Sequence, residues 1–184
     1  MSEEKNKNRL FITLQHRLER PGFHWALLLT PKSESADRDD RDSHLFHATN
    51  GISPGMRIAP GGKPGWRYES KPANVLKSRT ITARILVAKL SGSESVETQA
   101  KRIDRLINRI PLVQDNDEWT CRVWAAQALA VLKAAGGEFS TIPAWSETVE
   151  SEIVDFAAKA KETILRGKVI SHPKDLAQLD LRSR

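Results

Sequence analysis

The sequence TITARILVAKL at residues 80–90, followed by SGSESVETQAKRIDRLINRI at residues 91–110, is the clearest indication of the fold class of this chain. Residues 80–90 place their side chains alternately on two faces, which is typical of a β-strand. After Ser93, which can cap a helix, apolar residues recur three or four positions apart from Val96 to Ile110. That spacing is the period of an amphipathic helix. The junction therefore separates a region of strands from a region of helices.

The chain before this junction predicts four more strands. Alternating patterns or short apolar runs mark residues 9–16, 23–30, 44–49 and 66–70. Pro21-Gly22 indicates a turn between the first two strands. The charged stretch 31–43 predicts an exposed loop, and residues 50–65, with five glycines and three prolines, predict a long one.

The chain after the junction predicts two further helices, at residues 118–135 and 146–165. Strands followed by helices are typical of an α+β domain, so we expect about five antiparallel strands with helices packed on them. We predict a polar tail at residues 1–8 and a single domain at 9–167. The segment 168–184 is weakly structured in this prediction, and either wraps the body or is disordered.

Composition narrows the class of protein. The 184 residues carry a net charge of +6, but the basic residues are spread along the chain, which disfavours a nucleic-acid partner. Trp66, Arg67 and Tyr68 could stack bases, or instead close a cleft or fill the core. We find no apolar signal core and no run of about 20 apolar residues, so we expect no transmembrane segment. We expect a cytoplasmic protein, with its oligomeric state open.

The single cysteine, Cys121, lies at the start of a predicted helix. One cysteine cannot form an intramolecular disulfide. With Asp117 as the expected N-cap, Cys121 falls near the end of the first turn, where free N–H groups and the helix dipole stabilise a thiolate. Cys121 shares a stripe with Trp124 and Ala125, so this face packs on the sheet. The alternative is a buried, inert thiol that acts as a small hydrophobe.

Two histidines are the candidate partners of this thiol. His24 lies within an apolar strand, where an imidazole is costly to bury unless it is paired. Antiparallel pairing across the loop 31–43 places His24 opposite His47, and this suits a base and its orienting partner. The alternatives are a satisfied core histidine for His24 and a solvated strand end for His47. No closely spaced ligand pair supports a zinc site with Cys121, so we expect no metal and no cofactor.

Three short motifs in this order resemble a known superfamily. They are HWALLL at residues 24–29, LFHA at 45–48 and WTCRVW at 119–124. The chain is similar, over roughly residues 9–135, to the circularly permuted branch of the NlpC/P60 papain-like proteins. That branch includes lecithin:retinol acyltransferase and the HRAS-like-suppressor acyltransferases, and the chain also resembles small uncharacterised fungal proteins of this outline. It departs from them in a longer gap between the histidines, in Thr120, Arg122 and Val123, and in lacking a C-terminal apolar anchor.

The resemblance implies a permuted papain-like fold, a small antiparallel sheet with the cysteine helix packed on it. It also implies a thiol hydrolase or acyltransferase with Cys121 as nucleophile, His24 as general base and His47 as the third polar group. The substrate would be a small-molecule, lipid or peptide acyl compound, namely an amide, ester or thioester. A catalytically inert binding or scaffold protein on the same fold is the alternative.

Overall fold

The computed structural model of the chain describes residues 6–17 and 20–183. Within them lie six strands and three α-helices. In chain order these are β1 Asn8–His16, β2 Phe23–Thr30, β3 Ser43–Thr49, β4 Arg67–Ala73, β5 Ile81–Leu90, α1 Val96–Ile107, α2 Cys121–Ala135, α3 Glu147–Leu165 and β6 Ala177–Asp180. No helix in the described part of the chain is long and apolar enough to cross a membrane.

The strands form one sheet in the order β4-β3-β2-β1-β5-β6. All neighbours are antiparallel except β5 and β6, which run parallel. The α+β class is confirmed and all five expected strands are present, but a sixth makes the sheet mixed rather than antiparallel. β6 lies in the segment 168–184, where four residues are too few to show a periodic pattern. Its pairing with β5 depends on contacts across about 90 positions of sequence.

One face of the sheet carries α1 and α2 and holds the main core. Alternate strand residues such as Leu10, Ile12 and Leu27 pack there against the apolar stripe of α2, including Trp124. α3 adds buried residues to the same cluster. The Tyr68 hydroxyl donates to Asp104 Oδ1 at 2.7 Å, which fastens β4 to α1. Tyr68 therefore fills the core, one of the roles expected for the 66–68 stretch.

The opposite face is covered by connecting segments instead of long helices. A single 3₁₀ turn, Val75–Lys77, contributes apolar residues there, together with Leu28 of β2 and Leu176 near the C-terminus. Arg84 of β5 lies on this face and forms a buried ion pair with Glu34 at 2.7 Å. The loop 31–43, expected to be exposed, thus places one carboxylate inside the protein, because Arg84 needs an opposite charge there.

Two helices begin later than the sequence suggested. α1 is capped by Ser95, which accepts a bond from the Thr98 N–H, rather than by Ser93. α2 begins at Cys121 itself with Thr120 at the N-cap position, and not near Glu118. The reason is a local turn, in which the Asn116 side chain accepts the Glu118 N–H and its carbonyl accepts the Trp119 N–H. Cys121 is consequently the first helical residue.

Candidate active site

His24 and His47 meet on the sheet face away from α1 and α2. The observed register pairs Leu27 with Phe46 and Leu28 with Leu45, so its continuation puts His47 opposite Ala26. The expected direct pairing of His24 with His47 is therefore wrong by two residues. The two histidines are diagonal neighbours on one face instead, which is still within reach of large side chains. His24 Nε2 lies 2.8 Å from His47 Nδ1.

Glu69 of β4 extends this pair into a row across three strands. It lies directly opposite His47 in the β3–β4 register, and its Oε2 is 3.1 Å from His47 Nε2. Arg67 Nε donates to Glu69 Oε1 at 2.9 Å, and Lys71 Nζ donates to Oε2 at 2.7 Å. We call Glu69, His47 and His24 the histidine row. Alternation places these three side chains on the same face.

Burial keeps both histidines neutral near pH 7. Desolvation lowers the pKa of His24 from 6.5 to about 3, and the neighbouring His47 and Arg17 add to this shift. Desolvation also lowers the pKa of His47, although the hydrogen bond to Glu69 opposes that shift. For Glu69, partial burial would raise the pKa, but hydrogen bonds from Lys71, His47 and Arg67 outweigh it and lower the pKa to about 2. The row thus contains one carboxylate and two neutral rings.

These charge states fix the positions of the ring protons. An ionised carboxylate only accepts, so His47 must donate from Nε2 to Glu69. A neutral His47 then carries no proton on Nδ1, and that atom accepts from His24 Nε2. His24, also neutral, is left with an unprotonated Nδ1. The row therefore leaves an unprotonated ring nitrogen on His24 that can accept a hydrogen bond.

Cys121 lies on the other side of β2 with its sulfur buried. Its side chain and backbone together are 1% exposed. The sulfur accepts the backbone N–H of Trp25 at 3.5 Å and Arg17 Nη2 at 3.6 Å. As first residue of α2, it also lies at a helix end whose leading N–H groups have no partner within the helix. The two hydrogen-bond donors and the helix end thus surround the sulfur with N–H groups.

The sulfur and His24 are close along the backbone of β2 without being hydrogen-bonded to each other. The Trp25 nitrogen is two covalent bonds from His24 Cα, so the sulfur lies within about 6 Å of that carbon. Among the described residues, Trp25 and Arg17 are the donors to the sulfur. The structure therefore brings His24 and His47 into contact and places Cys121 next to the strand that carries His24.

A cleft of about 710 Å³ opens over the two histidines. Both histidines line it, together with Arg17 and Arg20 from the β1–β2 connection and Thr120 immediately before the cysteine. Trp66 and Trp119 form one wall, with their rings edge-to-face at 5.4 Å. Trp66 therefore closes a cleft, the second role expected for the 66–68 stretch. A cleft of this volume suits a small ligand or a peptide segment.

A metal site is not formed by these groups. Among residues 6–17 and 20–183, no cluster of three or more His, Cys, Asp or Glu side chains is arranged to hold a metal ion. The ligand set Cys121, His24 and His47, considered from the sequence, is divided by β2, with the sulfur on one side and both rings on the other.

Two residues of the site were missed from sequence. Glu69 could have been found, because Arg67, Glu69 and Lys71 alternate along one strand face and β4 follows β3 in an antiparallel arrangement. Arg17 carries no such signal, since it directly follows β1 in a polar connection. Its position beside the sulfur, 104 residues away in sequence, arises only when α2 packs on the sheet.

Residues 7–176 match a described family of unknown function, DUF6914. The chain belongs to DUF6914. The match spans all but the ends of the chain and so includes Cys121, the histidine row and the cleft. No curated protein and no solved structure is significantly similar to the DUF6914 chain.

Proposed function

We propose that this DUF6914 chain is a cysteine-dependent hydrolase or acyltransferase that acts on an amide, ester or thioester through a covalent thioester. Cys121 is the nucleophile, His24 the general base, and His47 the group that orients His24. The observation that carries the proposal is the histidine row, which ends at His24. The next residue along β2, Trp25, donates its backbone N–H to the Cys121 sulfur.

The first step moves the thiol proton to His24. The neutral ring offers Nδ1 as acceptor, because Nε2 is held by His47. Arg17 and the start of α2 stabilise the thiolate that results. Because β2 separates the two groups, reaching Nδ1 requires the Cys121 or His24 side chain to move around the end of β2 toward the cleft that His24 lines.

The second step forms the thioester. The sulfur bonds to the carbonyl carbon, and the carbonyl oxygen takes up negative charge near the backbone N–H groups of residues 120–122. The bond to the leaving group breaks, and that group receives the proton from His24. A water molecule, an alcohol or an amine then gives a proton to His24 and attacks the thioester. This step releases the acyl product and restores the thiol.

The order of the site along the chain supports a permuted papain-like arrangement. Both histidines precede the cysteine, and the cysteine starts a helix that packs on the sheet. Papain-like sites place the cysteine at a helix start and the base on a strand, as here. A small-molecule, lipid or peptide acyl group fits the proposal, since the cleft is open and combines tryptophan walls with polar groups.

A second candidate is an inert binding protein on the same fold. The observation that favours it is the burial of Cys121, which is 1% exposed and already accepts two hydrogen bonds. Under this candidate the thiol is a packing group, and the cleft alone binds a ligand.

Alkylation of Cys121 by iodoacetamide separates the two candidates. Because the chain has one cysteine, a single mass increase reports on this thiol. We expect labelling of the folded protein between about pH 6 and 7. The His24→Gln variant should slow it by at least about tenfold, because the base is removed. The control is His44→Gln, which changes a histidine of the same strand as His47 on the opposite face.

The control variant should be labelled at the wild-type rate. Circular dichroism of each variant checks that the fold is retained. Labelling that occurs only after denaturation, or that is equally fast without His24, would rule out the enzyme and leave the binding protein.

A further inference from the structure

A second cavity, of about 480 Å³, lies on the same sheet face as the histidine row. Its apolar lining comes from Leu28 of β2, Leu45 of β3, Val75 of the 3₁₀ turn and Ile81 of β5. These four residues belong to or pack against the smaller apolar cluster. Gln15 lines both this cavity and the cleft, so the two are neighbours. The volume falls within the range of small-molecule sites.

The cavity also contains an unused polar group. Thr13 is 1% exposed, and its Oγ1 has no hydrogen-bond partner among the described residues. A buried hydroxyl without a partner costs free energy, and native proteins rarely keep one without a reason. By contrast, the side chain of Asn74, which also lines the cavity, is fully hydrogen-bonded, because it caps the 3₁₀ turn and donates to the carbonyls of Asp37 and Asp40.

The charged groups around the cavity are all cationic. Arg41, Lys71 and Lys77 line it, and the lining within the described chain has no acidic residue. Lys71 is bound to Glu69, and Lys77 to Asp39 at 3.1 Å. Arg41 has neither an ion pair nor a hydrogen bond among residues 6–17 and 20–183, although its chain neighbours do. Its guanidinium therefore remains available to an anion from outside.

We propose that this cavity binds a small amphipathic anion, specifically a carboxylate on an apolar body. The apolar body lies against Leu28, Leu45 and Val75, and the carboxylate accepts hydrogen bonds from the Arg41 guanidinium, whose planar fork matches a carboxylate. The Thr13 hydroxyl gains a partner from polar groups of the ligand or from water carried with it. The site needs neither the thiol nor the histidine row, so it is independent of the proposed function.

An NMR titration of the full chain tests whether the cavity binds such an anion. The probe is naphthalene-2-carboxylate, and its neutral match is naphthalene-2-carboxamide. We expect the carboxylate to shift the amide signals of Leu28, Leu45 and Val75, and to bind about tenfold more tightly than the amide because of its charge. Arg41→Gln should weaken carboxylate binding by about the same factor and leave amide binding unchanged. Arg109→Gln, which removes a charge at the end of α1 away from the cavity, is the control.

Two further variants make the outcome decisive. Ser78→Trp should fill part of the cavity and weaken both probes, whereas Cys121→Ala should leave binding unchanged. Equal affinity for the carboxylate and the amide, no response to Arg41→Gln, or signal shifts confined to other parts of the sheet would each overturn the proposal. A failure of Cys121 to be labelled by iodoacetamide would contradict the proposed function but would not affect this proposal for the cavity.

Discussion

The two faces of the sheet are stabilised in different ways. The face under α1 and α2 is a continuous apolar core in which Trp124 and the alternate residues of β1 and β2 are fully buried. The opposite face contains the buried Arg84–Glu34 pair, the histidine row and, within the described chain, an apolar cluster of five buried residues. Burial of apolar area therefore stabilises the first face, whereas the second face also depends on specific polar and charged pairs.

The candidate chemistry lies where the two faces meet. Cys121 belongs to the apolar side and His24 to the polar side, and only the backbone of β2 separates them. An apolar face gives the thiol a fixed position, and a polar face can hold neutral rings in defined tautomers. This division predicts how substitutions on either face will act.

Removing Trp124 should have the largest effect. Trp124→Ala leaves a large void in the apolar core, and we expect a loss of about 3–5 kcal/mol in the free energy of unfolding. Urea unfolding followed by circular dichroism measures it. The control is Leu165→Ala, which shortens an exposed apolar side chain at the end of α3 and should change stability little. A loss under about 1 kcal/mol for Trp124→Ala would contradict the apolar account of this face.

Breaking the buried ion pair should cost nearly as much on the polar face. The Glu34 and Arg84 side chains are 5% and 4% exposed, and Arg84 also donates to the Pro173 carbonyl and stacks on Phe11. Glu34→Ala leaves Arg84 buried without an opposite charge, so we expect a loss of about 3 kcal/mol.

The double variant Glu34→Leu with Arg84→Met should recover most of that loss, because it removes both charges. Glu162→Ala, which breaks an exposed pair on α3, should cost less than about 0.5 kcal/mol. If the single and double variants are equally unstable, the loss comes from packing and not from an unpaired charge.

Acid should weaken the polar face over a defined pH range. The pKa of His24 is about 3 in the folded protein and near 6.5 in the unfolded chain. Between these two values His24 is protonated in the unfolded chain but not in the folded protein, and this favours unfolding. The contribution of His24 to the free energy of unfolding is therefore fully present above about pH 6.5 and is lost as the pH falls toward 3. Between pH 7.5 and 5, His24 should account for about 2 kcal/mol of that loss.

Urea unfolding of the wild type and of His24→Asn at several pH values between 7.5 and 5 tests whether His24 causes this loss. This variant should show a shallower fall in unfolding free energy over that range, although the lowered pKa of His47 leaves part of it. The lowered pKa of Glu69 adds a further loss only below about pH 4.5. An unchanged slope in His24→Asn would mean that His24 is not the buried neutral ring described above.

The strands and helices were largely predictable because their patterns are local. Residues 80–90 alternate and residues 96–107 follow a helical period, so both elements were predicted from their own side chains. β6 was not, since a four-residue strand gains its stability from its neighbour. The start of α2 was misplaced, because the turn at Asn116 competes with a helix that Asp117 could have capped.

For the candidate site as well, local features were predictable from sequence and long-range contacts were not. Residue types and short spacings predicted the α+β class, the location of His24 and His47 on neighbouring strands, and the position of Cys121 at a helix start. The register of β2 on β3, the hydrogen bond of Glu69 to His47 and the approach of Arg17 to the sulfur are visible only in the folded chain. These depend on which segments pack together, and packing is set by the free energy of the whole chain rather than by any one stretch of it.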